Sequence, residues 1–180
     1  MSLYKRNYPL NFLSQHKKFI FVDQSLMPGV FNLIINGLIC WLLFRSIDTL
    51  SLWGEHSFGP DLLITALLLP ALTCAIVSPL IARQVASGKV LPLDRSYLDE
   101  NGVGSKPLIV RVVIIGIAGV VFAGFPFVGL LNVIQPQAEA VTMASTHYIV
   151  FKAIWAALTA MIVSPVIAWW ALQSSSIKLA

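Results

Sequence analysis

Four long apolar stretches separated by polar connections make up most of this chain. They run from about Pro28 to Phe44, Leu62 to Ala82, Leu108 to Ile134 and Thr142 to Leu172. Each is near or above the roughly 20 residues an α-helix needs to cross a bilayer core about 30 Å thick. The runs are continuously apolar instead of alternating, which predicts helices and not the strands of a barrel. The expected fold class is an all-α integral membrane protein with four transmembrane helices.

The polar punctuation marks the ends of these helices. Pro28 and Pro107 fall at the starts of spans one and three, where a first-turn proline loses no useful donor. Pro60 and Asp61 open span two, with the Asp61 carboxylate favoured by the helix dipole. Between spans two and three, the stretch Leu93-Asp-Arg-Ser-Tyr-Leu-Asp-Glu-Asn-Gly-Val-Gly-Ser-Lys-Pro107 is polar and rich in turn residues. It predicts a surface loop without a core of its own. The chain then divides into an N-terminal arm (1–25), a first hairpin (26–83), the loop (84–106), a second hairpin (107–172) and a tail (173–180).

The two hairpins carry an internal repeat. Ala71-Leu-Thr-Cys-Ala-Ile-Val-Ser-Pro-Leu-Ile-Ala82 returns 86 residues later as Ala157-Leu-Thr-Ala-Met-Ile-Val-Ser-Pro-Val-Ile-Ala168, identical at nine of twelve positions. Apolar matches are cheap, but Thr, Ser and Pro recurring in register are not. The first helices agree more weakly at an offset of 79, with Pro28, Ile35 and Gly37 opposite Pro107, Ile114 and Gly116, and Asn32 opposite Arg111. Each copy has two spans, so both enter the membrane the same way and a relating axis would run along the membrane normal. Two tandem, parallel hairpin repeats in a pseudo-twofold bundle are expected. Gly116, Gly119, Ala123 and Gly124 in span three, and Ala153, Ala156, Ala157 and Ala160 in span four, supply close-packing surfaces.

Composition agrees with this pattern. Among 180 residues, 57% are hydrophobic and 11% charged, with a mean hydropathy of +0.81. A soluble domain of this length leaves too much of its surface facing water to hide so much apolar area. The net charge of +4 does not point to nucleic acid, because the basic residues flank the spans. Lys5, Arg6, Lys17, Lys18, Arg83, Lys89, Arg95, Lys106 and Lys178 lie in the arm, loop and tail, while Arg45 alone lies in the other two connections. That bias places both termini in the cytoplasm. With nothing resembling a eukaryotic targeting sequence, it suggests a bacterial inner membrane. The first span is followed by Arg45 and Asp48 and not by a small-residue cleavage site, so it is expected to be retained.

Candidate chemistry is sparse. Lys152 lies about two turns into span four, a depth at which a charge is costly and demands a partner. Asp61 is the natural counter-ion, and His147, its equivalent under the 86-residue offset, could complete an outer cluster. Pro70, Pro79, Pro126 and Pro165 are expected helix kinks. Pro79 and Pro165 free the carbonyls of Ala75 and Met161, so Ser78 and Ser164 could face one another across a small polar site, or a serine hydroxyl or a water could satisfy the freed carbonyl. Arg111, one turn into span three, either snorkels to headgroups or holds an anion at the inner mouth. Cys40 and Cys74 form no CxxC pair, and His16, His56 and His147 do not pair at matching depth. Phosphate cradles and hydrolase or metalloprotease motifs are absent. No catalytic residue, metal or cofactor is therefore expected.

These residues suggest a non-enzymatic accessory or assembly subunit, or a self-associating scaffold, with the bilayer and a larger complex or further copies as partners. The alternative is a small permease or channel working as an oligomer. A permease predicts that Asn32, Asn36, Thr73, Ser78, Thr159 and Ser164 converge on one cavity, whereas a scaffold predicts that they bond locally or between helices.

Overall fold

A computed structural model describes residues 16–134 and 142–179 of the chain. It is mostly helical, with four helices long and apolar enough to cross a membrane: His16–Phe44, Phe58–Ala86, Leu108–Leu131 and Ser145–Ile177. The elements are α1 (Leu26–Phe44), β1 (Thr49–Ser51), α2 (Phe58–Ala86), α3 (Leu108–Gly119), α4 (Phe125–Ile134), β2 (Thr142–Ala144) and α5 (Ser145–Ile177). Helix α5 is central. It packs against α1 on one side and α2 on the other, and α2 in turn packs against α3. Of the arm, Lys5 and Arg6 lie outside the described residues.

The all-α expectation needs one correction. β1 and β2 form a two-stranded antiparallel pair, with Thr49 opposite Ala144, Leu50 opposite Met143 and Ser51 opposite Thr142. The connections leading out of α1 and into α5 are thereby tied together at one end of the bundle, called the sheet end below. Leu50 and Leu52 are buried there with Cys40, Phe58, Leu62, Val128 and Tyr148. Strands this short carry no periodic signal, which is why the hydrophobic pattern does not reveal them.

At the opposite or loop end, the central connection differs from the coreless loop expected of its composition. Leu93 is buried in a cluster with Ile20, Ile81, Val85, Ala168, Ala171 and Leu172. Its amide donates to Ser176 Oγ (2.8 Å), and His16 Nε2 lies 2.9 Å from the Leu91 carbonyl oxygen. Gly104 lies so close to Gln173 that a Cβ would come 2.2 Å from its side-chain oxygen. These contacts bury polar residues at the end of α5 and carry that helix past Leu172 to Ile177. Ser175 and Ser176 donate to the carbonyls of Ala171 and Leu172, satisfying hydroxyls that would otherwise be buried unpaired. In the exposed part of the loop, the Ser96 backbone N–H and then its hydroxyl bond Asp94, which holds that carboxyl below the usual range.

Small residues set the helix spacing. A Cβ at Gly37 would lie 3.2 Å from that of Ala153 at the α1–α5 contact. At the α2–α3 contact, Gly116 meets Leu67 and Ala71 in the same way. Gly119 is closer still, since a Cβ there would lie 2.1 Å from the carbonyl oxygen of Ala66. That carbonyl has no helical donor, because Pro70 stands where the donor would be. The freed acceptor therefore faces a glycine Cα, where only hydrogen permits the approach.

The other prolines are accommodated differently. Pro79 and Pro165 lie inside α2 and α5. Ser25 Oγ donates to the Met161 carbonyl freed by Pro165, at 2.9 Å. Pro126 stands two residues after the end of a π-helical segment, Val120–Gly124, and the intervening Phe125 N–H reaches Val120 O. The wide turn just before the proline accommodates the donor it lacks.

Candidate functional site

Asp61 stands in the first turn of α2, and Tyr148 and Lys152 stand one turn apart on α5. The four-residue spacing puts Tyr148 and Lys152 on one helix face. Both donate to the same carboxylate oxygen, Asp61 Oδ2, with Lys152 Nζ at 2.5 Å. The Tyr148 hydroxyl also lies 3.4 Å from the Phe58 carbonyl oxygen. The Lys152 side chain is only 3% exposed, against 19% for Asp61. Lys152 thus points inward and does not snorkel. An ammonium at that depth requires a counter-ion, and α2 supplies it across the helix interface.

Aromatic rings enclose the Tyr148 side of this pair. The Tyr148 ring meets Phe44 edge-on at 5.6 Å and lies 5.2 Å from Phe58 and 6.4 Å from Phe151. Cys40 and Leu62 complete the buried surroundings.

The third member of the expected cluster is corrected here. His147 is exposed, and Tyr148 takes its place. One residue along a helix turns the side chain by about 100°, so a neighbour in sequence leaves the face altogether. The repeat offset pointed to His147. The four-residue spacing from Lys152 is the signal that identifies Tyr148.

From this pair a groove of about 650 Å³ runs between α1 and α2, with Lys152 of α5 on its lining. Asp23 lines it near the loop end and Asp61 at the sheet end, so it follows the length of α1. Between its two ends, Gln24, Asn32, Asn36, Thr65 and Thr73 interrupt an otherwise apolar wall. Asn36 donates to Asn32 Oδ1 (3.1 Å) and Asn32 to the Pro28 carbonyl (2.9 Å). Thr73 donates to the Leu69 carbonyl at 2.6 Å.

The two Ser-Pro pairs do not share a site. Ser78 Oγ lies 3.7 Å from Cys74 Sγ, whereas Ser164 Oγ is buried without a hydrogen-bond partner, so no bond joins the two hydroxyls. Thr159 back-bonds to the Trp155 carbonyl, away from the groove lining. Of the six polar residues that a single cavity would gather, the groove holds Asn32, Asn36 and Thr73. Ser78 lines a separate cavity of about 360 Å³ at the loop end, together with Arg111. Arg111 is 5% exposed and does not snorkel.

Among the described residues, no three His, Cys, Asp or Glu side chains come together as metal ligands. The chain matches no protein-family model, no curated protein and no solved structure.

Proposed function

We propose that the chain is a non-catalytic subunit of a membrane assembly, and that the groove between α1 and α2 seats a transmembrane helix of another chain. The observation that carries this reading is the placement of α1. It packs on α5 and leaves a groove towards α2, and its most apolar window is 11% buried, against 44% for α5. A groove that follows a membrane-spanning helix suits an occupant whose backbone is internally satisfied, which in lipid means another helix. Asn32, Asn36 and Thr73 offer that helix hydrogen bonds at mid-depth. The lysine and arginine bias supports a bacterial inner membrane with the loop end and both termini in the cytoplasm.

The assembly unit is read as two tandem hairpins about a pseudo-twofold axis. Shifting α1 by 79 residues and α2 by 86 turns the pair Leu67–Gly116 into Ala153–Gly37, and both pairs are close helix contacts. The same shift relates Asp61 and Lys152 to His147 and Ala66, so the ion pair would exist once and break the symmetry.

A photoreactive residue at position 36, inside the groove, tests the proposal against one at position 122, where Phe122 is 79% exposed on the far side of the bundle. In native membranes, position 36 should yield one discrete species of higher mass and position 122 should not. A ladder in steps of 19.7 kDa would identify the occupant as a second copy. No protein adduct at position 36, or the same adducts from both positions, would overturn the reading.

A second reading, a small permease working as an oligomer, draws on Asp61 and Lys152 lining the same groove as the two asparagines. It requires solute flux by the pure protein in liposomes, and flux lost in Asn36→Leu.

A further inference from the structure

We propose that the loop-end cavity between α2, α3 and α5 binds an anionic phosphate group, supplied by a phospholipid headgroup. The observation that points to a ligand is Arg111. Its guanidinium is enclosed, and Nε and Nη1 are both buried without a hydrogen-bond partner. A buried charge with unpaired donors is strongly unfavourable, and among the described residues no acidic side chain lines the cavity to relieve it. A guanidinium presents two planar forks, Nε with Nη2 and Nη1 with Nη2, so an oxyanion on either edge would pair one of the two unpartnered atoms.

The surroundings favour phosphate. Ser78 and Ser174 bring hydroxyls to the lining, Ser175 lines it with its proton already given to the Ala171 carbonyl, and Lys178 adds a second cation at the rim. Arg111 is the fourth residue of the twelve-residue α3, so the positive end of that helix dipole lies within a turn. The carbonyl end of α5 opposes an anion here, and Lys178 offsets it. A volume of about 360 Å³ exceeds what a bare oxyanion needs.

The source is argued from the remaining walls. Pro79, Ala82, Val85 and Leu108 are apolar, and Arg111 lies one turn inside a membrane span. A position one turn from the end of a span is within reach of lipid headgroups, and a basic pocket between spans there suits an anionic lipid. The residue equivalent to Arg111 in the first hairpin is Asn32, so the expected stoichiometry is one lipid per chain.

The full-length protein, delipidated in a mild detergent, is titrated separately with phosphatidylglycerol, phosphatidylcholine and inorganic phosphate. Bound lipid is counted by native mass spectrometry and thermal stability is followed. Phosphatidylglycerol should bind at one per chain and raise Tm, and phosphatidylcholine should not. Arg111→Gln should weaken that binding by about tenfold or more, and Lys178→Gln by less. Arg111→Lys, which keeps the charge but loses the fork, serves if the Gln variant does not fold, and should also bind more weakly than wild type. Stabilisation by inorganic phosphate as strong as that by phosphatidylglycerol, and dependent on Arg111, would support the phosphate site and reassign its source. Equal binding of both lipids with no phosphate effect, or binding indifferent to Arg111, would overturn the proposal.

Discussion

Lys152 on α5 and Asp61 on α2 form an ion pair across the interface of the two central helices, with Nζ 2.5 Å from Oδ2. The two ends of the pair are not equally enclosed, since Lys152 is nearly inaccessible and Asp61 keeps contact with the groove. Removing the carboxylate strands a buried ammonium, whereas removing the ammonium leaves a carboxylate still bonded by Tyr148. Asp61→Asn should therefore cost more than Lys152→Met, about 3–5 kcal/mol for the former. The double variant should cost less than the sum of the two. Thermal or denaturant unfolding of the four proteins in one detergent measures this, and strict additivity would show that the pair contributes no coupling.

Tyr148 separates the role of the hydroxyl from that of the ring. Tyr148→Phe retains the aromatic contacts to Phe44 and Phe58 and removes one of the two donors to Asp61 Oδ2. A loss of about 1–3 kcal/mol is expected. His147→Gln, at an exposed position, should stay within about 0.5 kcal/mol of wild type. The same unfolding assay compares them, and a larger effect at His147 would contradict the cluster as described.

Gly119 tests the α2–α3 interface. A Cβ there would meet Ala66 O at 2.1 Å and Pro70 Cγ at 2.6 Å, and neither backbone nor proline ring can swing aside. Gly119→Ala should cost about 1–3 kcal/mol or displace α3 from α2. At Gly129 a Cβ would meet nothing within 4 Å, so Gly129→Ala should be neutral or stabilising by a few tenths of a kcal/mol. Equal effects at the two positions would mean that the helices do not approach as described.

The four spans and the Lys152–Asp61 partnership were legible because each rests on a strong local rule: hydrocarbon length for the spans, and the cost of a lone intramembrane charge for the pair. Three features were not. β1 and β2 are three residues each and pair only because the helices bring their ends together. Leu93 reads as one apolar residue in a polar loop, and its burial depends on Ile20 and Leu172 arriving from distant segments. Tyr148 was hidden by the repeat, which favours positional equivalence over helix face. At Met161 a serine does satisfy the proline-freed carbonyl, but it is Ser25, from the start of another helix, and not the adjacent Ser164.

That last contact gives a prediction with an internal control. Ser25 Oγ donates to Met161 O, the carbonyl to which Pro165 cannot donate. Ser25→Ala should leave the carbonyl unpaired in the helix interface and cost about 1–2 kcal/mol. Pro165→Ala restores a backbone N–H one turn along α5, and in that background Ser25→Ala should cost almost nothing. Two further unfolding curves complete the double-mutant cycle. A Ser25→Ala penalty unchanged by Pro165→Ala would mean that the hydroxyl stabilises the α1–α5 contact through something other than the freed carbonyl.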